Sequence, residues 1–391
     1  MPELLFKDQI PLLRPWLGEE EVKAVTEIIL SGWISQGPKV IEFENAVADY
    51  LGAKYAVATN SCTSALHLAL NVSGVEPGDE VICPSFTCMA TTNSIHHAGA
   101  LPRFVEIDPQ TYNIDPSATA EVITPRTRAI VVIHQIGLPA DRDVFVALAN
   151  KHNLVLVEDA ACSFGATYKG RRLGGFGLPT CFSFHPRKMI TTGEGGMIVT
   201  DDPRLAEKAR VLRSTGASIS DLERHKAKGL LVQQYADVGY NYRMTDIQAA
   251  IGLVQLGKIE AMLKERTAQA LRYNEALAEI EEVKQPYVPN YASHAYSSYM
   301  ISLDEKCLIN RDELLGEMAK RGISCRVGIQ PLHLEPYYQK LCGRTKLPLT
   351  EQASQKTLFL PIYPGLKEED QKKIITTLKE IIGKKIIHGE P

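Results

Sequence analysis

The sequence predicts an α/β protein, with a large domain whose mostly parallel sheet is flanked by helices and a smaller C-terminal α+β domain. Short apolar runs rich in β-branched residues alternate with helix-like segments through the first half of the chain. Near-continuous apolar strands separated by helices are typical of parallel sheets covered on both faces. A chain of 391 residues is also too long for one ordinary domain. We therefore assign residues 1–257 to the large domain and residues 258–391 to the small domain.

Each element is predicted from its apolar pattern and its flanking residues. In the large domain the predicted strands are 55–59, 80–84, 101–107, 128–133, 154–159, 181–184 and 195–200. The predicted helices there are 63–72, 88–98, 117–124, 141–152 and 202–214. A helical pattern over 245–283 is too long for one compact helix without a bend. In the small domain we predict strands near 296–303 and 323–329 and helices near 310–321 and 367–382. The polar segment 215–238 lacks periodicity and is predicted to be a long functional or mobile excursion.

Composition argues against several classes of protein. The net charge is −3 with both signs mixed throughout, which argues against a nucleic-acid partner. The first sixteen residues carry charges and prolines where a secretory signal needs an apolar stretch, and no apolar run is long enough for a membrane span. None of the eight cysteines forms a CxxC pair. We therefore expect a cytoplasmic protein with reduced thiols and no metal, rather than a disulfide framework or a zinc site.

The stretch TCFSFHPRKMITTGEGGMI (180–198) contains the first candidate for chemistry, Lys188. A strand ends near Phe184, a turn with Pro186 follows, and Lys188 stands among apolar and hydroxyl residues. Desolvation at such a place is expected to lower the pKa of the lysine, and the neutral amine is the form that attacks a carbonyl. The alternative is a solvated loop lysine, which would be the ordinary interpretation without the neighbouring elements.

The second candidate is Asp159, at the end of the apolar strand in VLVEDAA. A buried carboxylate needs a cationic or hydrogen-bonding partner. The protonated ring nitrogen of a pyridine cofactor is one such partner, and the carboxylate would keep that nitrogen protonated so that the ring can accept electrons. A helix N-cap is an equally good interpretation of Asp159 taken alone.

The third candidate is the segment NSCTSAL (60–66), directly after the strand YAVAT and at the start of an amphipathic helix. Free N–H groups and hydroxyls at a helix start form a phosphate site. The chain contains neither GxxxxGKS nor GxGxxG, so a P-loop or dinucleotide site is not supported. Serine and threonine also serve as ordinary helix caps, but all three candidates follow strands and would meet in one crevice.

Taken together, these motifs resemble the DegT/StrS-type aminotransferases, which are pyridoxal-phosphate enzymes of the aspartate-aminotransferase fold (fold type I) that make amino sugars on nucleotide carriers. The resemblance covers nearly the whole chain. It rests on the segments 31–70, 78–95, VEDAACSFGATYKGRRLGGFG (157–177), FSFHPRKMITTGEGGM (182–197), GYNYRMTDIQAAIGLVQL (239–256) and PLHLEPYY (331–338).

The resemblance implies roles for residues at matching positions. Lys188 would bind pyridoxal 5'-phosphate covalently and transfer the proton between the substrate carbon and the cofactor, while Asp159 would pair with the pyridine nitrogen. Asn241 would reach the phosphate from the neighbouring subunit, so the active unit would be a homodimer with shared sites. The remaining cofactor positions are Thr63, Ser64, the amide of Ala65, and Ser183 around the phosphate, with Cys88 and Cys162 at the ring. The substrate-side positions are Trp33, His185 and His333. A structural aromatic and a packed core histidine are the alternatives for Trp33 and His333.

Two positions depart from the family pattern. Position 88 often carries an aromatic residue stacked on the cofactor ring, and Cys88 offers less stacking area. Position 162 often holds glutamine or histidine near the ring hydroxyl, where Cys162 is a weaker hydrogen-bonding partner. A subset of the family replaces the lysine with histidine and performs dehydration, so the presence of Lys188 favours transamination.

The resemblance implies transfer of nitrogen from glutamate to a keto sugar on a nucleotide diphosphate. The form HPRKMITTGEGG resembles members that act at C4 of 4-keto-6-deoxy sugars. The alternatives are a keto-cyclitol or antibiotic precursor as the acceptor, or a non-catalytic regulator that binds the cofactor or the sugar. An intact lysine, aspartate and phosphate site argue against the regulator.

Overall fold

The computed structural model describes residues 9–219, 232–235 and 237–387. It confirms the predicted fold class, since a large, mostly parallel sheet is covered by helices and a smaller antiparallel sheet follows. The strands up to the end of the large sheet are β1 (Tyr55–Thr59), β2 (Glu80–Pro84), β3 (Leu101–Val105), β4 (Thr127–Ile133), β5 (Val155–Asp159), β6 (Thr167–Tyr168), β7 (Arg171–Arg172), β8 (Thr180–Ser183) and β9 (Gly196–Thr200).

Seven of these strands form the large sheet, in the order β1-β9-β8-β5-β4-β2-β3. The pairs β2–β3, β2–β4, β4–β5 and β5–β8 are parallel, and β9 runs antiparallel to both β8 and β1. Consecutive residues of β4 belong to different buried clusters. Val131 lies in one cluster with Leu66 of the helix after β1, and Val132 lies in another with Phe145 of the helix after β4. Both faces are therefore covered, which explains the near-continuous apolar strands.

Helices precede, connect and follow these strands. They are α1 (Glu19–Ser31), α2 (Pro38–Leu51), α3 (Cys62–Val72), α4 (Met89–His97), α5 (Pro116–Glu121), α6 (Arg142–His152), α7 (Pro203–Arg213), α8 (Asp246–Gly257), α9 (Ile259–Leu277), α10 (Arg311–Lys320), α11 (Pro336–Cys342), α12 (Pro348–Lys356) and α13 (Glu368–Ile387). The bend predicted within 245–283 is confirmed, because α8 and α9 meet at Lys258.

The small sheet has the strand order β10-β12-β14-β13 and is antiparallel throughout. Its strands are β10 (Val283–Lys284), β12 (Tyr299–Leu303), β13 (Arg326–Val327) and β14 (Thr357–Leu360), while β11 (Ala292–Ser293) pairs with β6 of the hairpin β6–β7. Ile10 bridges to Ile323 and lies in the same buried cluster as β12 and β14. The N-terminal segment therefore packs on the small unit. The domain boundary at residue 258 stays a prediction.

Four helices, α1, α2, α11 and α12, were not predicted, although the sequence carries signals for the first two. Glu21 accepts a hydrogen bond from the N–H of Gly18 (2.7 Å) at the start of α1, and Pro38 occupies the first turn of α2, a favoured position for proline. Gly32 and Gly52 end these helices with positive φ, as glycine does after many helices. Most of the predicted excursion at 215–238 lies outside the described residues.

All eight cysteines are free. None of the helices in the described part of the chain is long and apolar enough to cross a membrane. Within the same residues, no group of three or more His, Cys, Asp and Glu side chains is arranged to hold a metal ion.

Candidate functional site

The three segments singled out in the sequence meet at the carboxyl ends of the large sheet's strands. Asp159 ends β5 beside Cys181 of β8, and the loop after β8 carries Lys188. The Cys62 thiol at the start of α3 lies close to both. Burial raises its pKa well above the ordinary value, Asp159 raises it further, and Lys188 acts in the opposite direction. A lysine, a carboxylate and a helix N-terminus therefore share one crevice.

Asp159 is held by one side chain and one backbone group. Its Oδ2 accepts a hydrogen bond from Thr91 Oγ1 (2.7 Å), and its Oδ1 accepts one from the N–H of Ala161 (3.1 Å). The residue is 4% exposed. Turns follow Asp159 and the next regular element is β6, so the helix N-cap interpretation does not describe this position. Two donors fix the carboxylate in a buried place, where a cationic partner would be stabilised.

Lys188 is half-buried, and its Nζ donates to Cys162 Sγ at 3.0 Å. Burial lowers the pKa of this amine, but Cys162, Cys62 and Asp159 act more strongly together and hold it above its ordinary value. The expectation of a lowered pKa is therefore wrong for the structure as it stands. The two sulfur neighbours come from segments distant in sequence, so the local pattern around Lys188 did not show them.

The start of α3 offers backbone amides. Ser61 caps the helix, its Oγ accepting from the N–H of Ser64 (3.2 Å), and Ser64 Oγ donates to Asn60 Oδ1 (2.7 Å). The N–H of Ala65 donates to Ser61 O (3.1 Å). The amides of Cys62 and Thr63 come before these and have no partner within the helix. The structure therefore favours these two amides over that of Ala65 as anion ligands.

A glycine allows β9 to approach this helix start closely. A Cβ on Gly196 would lie 2.4 Å from Ser61 O and 2.6 Å from Cys62 N. Gly196 also stands between Thr59 of β1 and Ser183 of β8 in the sheet register. Ser183 is 6% exposed and is the last residue of β8, the strand next to β9. We call the residues 60–64 together with Ser183 the phosphate cup.

Cys88 is exposed and is the residue before α4. Its carbonyl accepts from the N–H of Thr91 (3.1 Å), the residue whose hydroxyl binds Asp159. Cys88 therefore lies one helical turn from the Asp159 contact. Sequence reasoning missed Thr91, because a threonine inside a helix gives no local signal of a contact 68 residues away.

The three predicted substrate-side residues are not alike. His333 is 2% exposed and both ring nitrogens are engaged, Nδ1 with Ser85 Oγ (2.7 Å) and Nε2 with Glu351 Oε1 (3.1 Å). This geometry is that of a packed histidine, joining the end of β2 to α12. A role at the substrate stays a prediction for His333.

Trp33 and His185 are both half-buried. Trp33 Nε1 donates to Gln36 O at 3.1 Å, and His185 Nδ1 accepts from the N–H of Arg187 at 3.1 Å. Burial lowers the pKa of His185, while Glu194 counteracts it and Lys188 adds to it. The neutral imidazole is therefore the favoured form of His185.

The backbone of Asn241 lies beside the phosphate cup of its own chain. Its carbonyl accepts from Asn60 Nδ2 (3.3 Å), and it bridges to Ser214. The side chain of Asn241 is exposed. A contact between Asn241 and the cofactor phosphate of a neighbouring subunit stays a prediction.

The donors present fit pyridoxal phosphate. A primary amine, a buried carboxylate and a helix start with two amides match the aldehyde, the protonated ring nitrogen and the phosphate of this group. The missing Cβ of Gly196 keeps the cup compact.

Next to Asp159, Glu158 makes a different, structural contact. It is 0% exposed and accepts from Arg142 Nε (3.0 Å) and Thr180 Oγ1 (2.9 Å). Burial alone would raise the pKa of Glu158, but His134, Arg142 and Thr180 lower it to about 2. A folded-state pKa below the unfolded value means that the stabilisation is present above pH 4.5 and is lost as the pH falls towards about 2.

We therefore predict that Glu158→Gln destabilises the protein at pH 7 by roughly 3–5 kcal/mol, because Arg142 is left without its buried partner. The difference between variant and wild type should shrink as the pH falls from 4.5 towards 2. Thermal denaturation over this range measures it. A gap that stays constant across the range would show that the pair contributes nothing to acid stability.

Comparison with known proteins adds the family. A sequence profile of the DegT/DnrJ/EryC1/StrS aminotransferase family matches residues 15–379. The spore coat polysaccharide biosynthesis protein SpsC of Bacillus subtilis is 41% identical over 377 residues, which cover 95% of this chain and 97% of SpsC. Helicobacter pylori PseC, an aminotransferase involved in the biosynthesis of pseudoaminic acid, superposes with a TM-score of 0.90 at 30% identity, covering 96% of this chain and 100% of PseC.

Streptococcus pneumoniae Spr1654, solved in its PLP form, also superposes with a TM-score of 0.90 at 30% identity, covering 96% of this chain and 99% of its own. Identity above 30% over nearly the full length agrees with the profile match and with the geometry of the crevice. The chain therefore belongs to the DegT/DnrJ/EryC1/StrS aminotransferase family and is a pyridoxal-phosphate-dependent aminotransferase.

Proposed function

We propose that this aminotransferase moves an amino group from glutamate to a keto sugar carried on a nucleotide diphosphate, with a 4-keto-6-deoxyhexose as the sugar. One observation carries the proposal: Lys188, Asp159 and the start of α3 at Cys62 lie within electrostatic reach of one another at one end of the sheet. The names of SpsC and PseC, which refer to polysaccharide and pseudoaminic acid biosynthesis, support a sugar acceptor.

Pyridoxal phosphate, when bound, supplies a carbonyl that takes up the amino group and a ring that withdraws electrons from the carbon losing its proton. The Nζ of Lys188 would hold the cofactor covalently and carry the proton between carbons. The carboxylate of Asp159 would keep a proton on the ring nitrogen. The amides of Cys62 and Thr63 would bind the phosphate with the hydroxyls of Ser64 and Ser183.

The side of the crevice facing the substrate is proposed to include Trp33 and His185. The Nδ1 of a neutral His185 already accepts from the N–H of Arg187, so its Nε2 carries the proton and is able to donate to a sugar hydroxyl. Cys88 and Cys162 would contact the ring in place of the larger residues often found there, and the contact of Cys162 with Lys188 at 3.0 Å supports the second assignment.

We further propose a homodimer with shared sites, in which Asn241 reaches the partner's cofactor phosphate. Its exposed side chain, on a segment beside the phosphate cup, supports a contact outside its own chain. The proposed protein works in the cytoplasm without a nucleic-acid or membrane partner, in keeping with its mixed charges.

The proposal predicts a defined order of acceptors in a coupled assay with glutamate. The 4-keto-6-deoxy nucleotide sugar should give a kcat/KM at least about tenfold above that of the matched 3-keto sugar, because a crevice that positions one carbonyl at Lys188 misplaces the other. The same sugar without its nucleotide and a keto-cyclitol serve as further arms. Turnover that is fastest with the cyclitol, or equal for both keto positions, would contradict the assigned substrate.

The absorbance of the bound cofactor tests glutamate as the amino donor. Addition of glutamate should change the absorbance of the bound cofactor in an aminotransferase. An unchanged spectrum would contradict glutamate as the donor. The same absorbance measurement with a panel of other amino acids would then identify the donor.

A further inference from the structure

The phosphate cup follows an edge strand. β1 is the first strand of the large sheet and pairs only with β9 within it, and residues 60–64 continue directly from its end. The outward backbone groups of an edge strand need partners from elsewhere. The position of the cup therefore depends on what holds the outer side of β1.

A buried ion pair holds that outer side at Ala58. The N–H of Ala58 donates to Glu44 Oε1 (2.8 Å), and its carbonyl accepts from Arg213 Nη1 (2.6 Å). Glu44 and Arg213 also bind each other. Glu44 of α2 is 5% exposed and Arg213 at the end of α7 is 4% exposed. Helices α2 and α7 thus both bind β1 at Ala58, two positions before the cup begins.

The pair also holds the other flank of the cup. The carbonyl of Arg213 accepts from the N–H of Tyr242 (3.0 Å), and the carbonyl of Tyr242 accepts from the N–H of Asn60 (2.9 Å). A closed ring of contacts therefore runs from Ala58 through Arg213 and Tyr242 to Asn60. The first residue of the cup is fixed from both sides through one arginine.

We infer that the Glu44–Arg213 ion pair is the positioning pair of the phosphate cup and sets how tightly the protein binds the phosphate of its cofactor. The inference rests on the proposed function, in which the cup binds that phosphate. The two side chains touch no atom of the cup and act through Ala58 and Tyr242. Their effect should therefore be specific to ligands that carry a phosphate.

Pyridoxal provides the probe, because it has the aldehyde and ring of pyridoxal phosphate but no phosphate. Full-length protein is freed of covalently bound cofactor by hydroxylamine followed by dialysis, then titrated with each compound, and binding is followed by absorbance. Arg213→Met should reduce the preference for pyridoxal phosphate over pyridoxal by about tenfold or more, since charge-assisted contacts of this kind are lost. Arg213→Lys keeps the charge and one nitrogen that can face both oxygens, so part of the preference should return.

Two further variants separate positioning from stability. In the double variant Glu44→Leu with Arg213→Met, no charge is left buried alone, and its melting temperature should exceed that of Arg213→Met. Its preference for the phosphate should remain lost, because Ala58 still lacks both partners. Glu80→Gln is the matched control, since Glu80 is a buried carboxylate paired with Arg126 at the start of β2, and its preference should equal that of wild type.

A double variant with wild-type preference would overturn the inference, as would an equal loss of pyridoxal binding in Arg213→Met. Failure of the proposed function would look different. In that case the wild-type protein itself would not prefer pyridoxal phosphate over pyridoxal.

Discussion

Asp159→Asn is expected to leave the protein folded and to lower kcat at least about a hundredfold, in the range seen when one preorganised electrostatic contact is removed from an active site. The amide has nearly the shape of the carboxylate. Its oxygen can still accept from the N–H of Ala161, and the hydroxyl of Thr91 can turn to accept from the new NH₂ group. The native contacts can therefore persist, while the negative charge at this position is lost.

The charge is what the proposed chemistry needs at this point. A carboxylate that is 4% exposed stabilises a proton on a neighbouring ring nitrogen much more than a neutral amide does. Steady-state kinetics with glutamate and the best acceptor, together with the thermal midpoint, measure the outcome. Thr91→Val is the matched control, since it removes one hydrogen bond to Asp159 and keeps the charge, and it should cost far less activity. Near-normal turnover by Asp159→Asn would reduce Asp159 to a turn-capping residue.

The parts of the site that could be predicted depend on residues that are close together in the sequence. The apolar run RAIVVI became β4, buried on both faces, and VLVED became β5 with its carboxylate at the carboxyl end. Because adjacent parallel strands end at one edge of the sheet, Asp159 and the loop carrying Lys188 had to lie near each other. The helix start at 60–66 followed from the same logic.

The parts that could not be predicted depend on contacts between distant segments. Glu44 and Arg213 are 169 residues apart, and each taken alone has the pattern of an ordinary surface charge on a helix. The raised pKa of Lys188 has the same origin, because Cys162 lies in the turn after β5 and Cys62 at the start of α3, and both are distant from Lys188 in the sequence. His333 was predicted on the substrate side, and only the structure shows both of its ring nitrogens bound to protein.

Mixing two inactive variants, Lys188→Ala and Asn241→Asp, is expected to restore up to about a quarter of wild-type activity if the sites are shared. The first variant lacks the amine. The second places a negative charge against the cofactor phosphate and should bind the cofactor poorly. The backbone of Asn241 makes the contacts with Asn60 and Ser214, so a change of its side chain leaves those contacts in place.

The arithmetic follows from which chain supplies each residue. In a mixed dimer with shared sites, the site that uses Lys188 of the Asn241→Asp chain takes Asn241 from the other chain, and both are intact. The second site carries both defects. Random exchange makes half of the dimers mixed, each with one good site of two. If Asn241 instead serves the cup of its own chain, beside which its carbonyl lies, every site keeps one defect and mixing restores nothing.

A third variant makes the result specific to Asn241. Lys188 and Asp159 both belong to one chain's crevice, so mixing Lys188→Ala with Asp159→Asn should restore no activity under either arrangement. Subunit exchange is verified by mass spectrometry of differently tagged chains. Recovery with the Asn241 variant and none with the Asp159 variant would locate the boundary between subunits at the phosphate cup. If exchange is complete and neither mixture recovers activity, the shared site is refuted. The proposed chemistry of Lys188 and Asp159 is unaffected by that outcome, because their contacts lie within one chain.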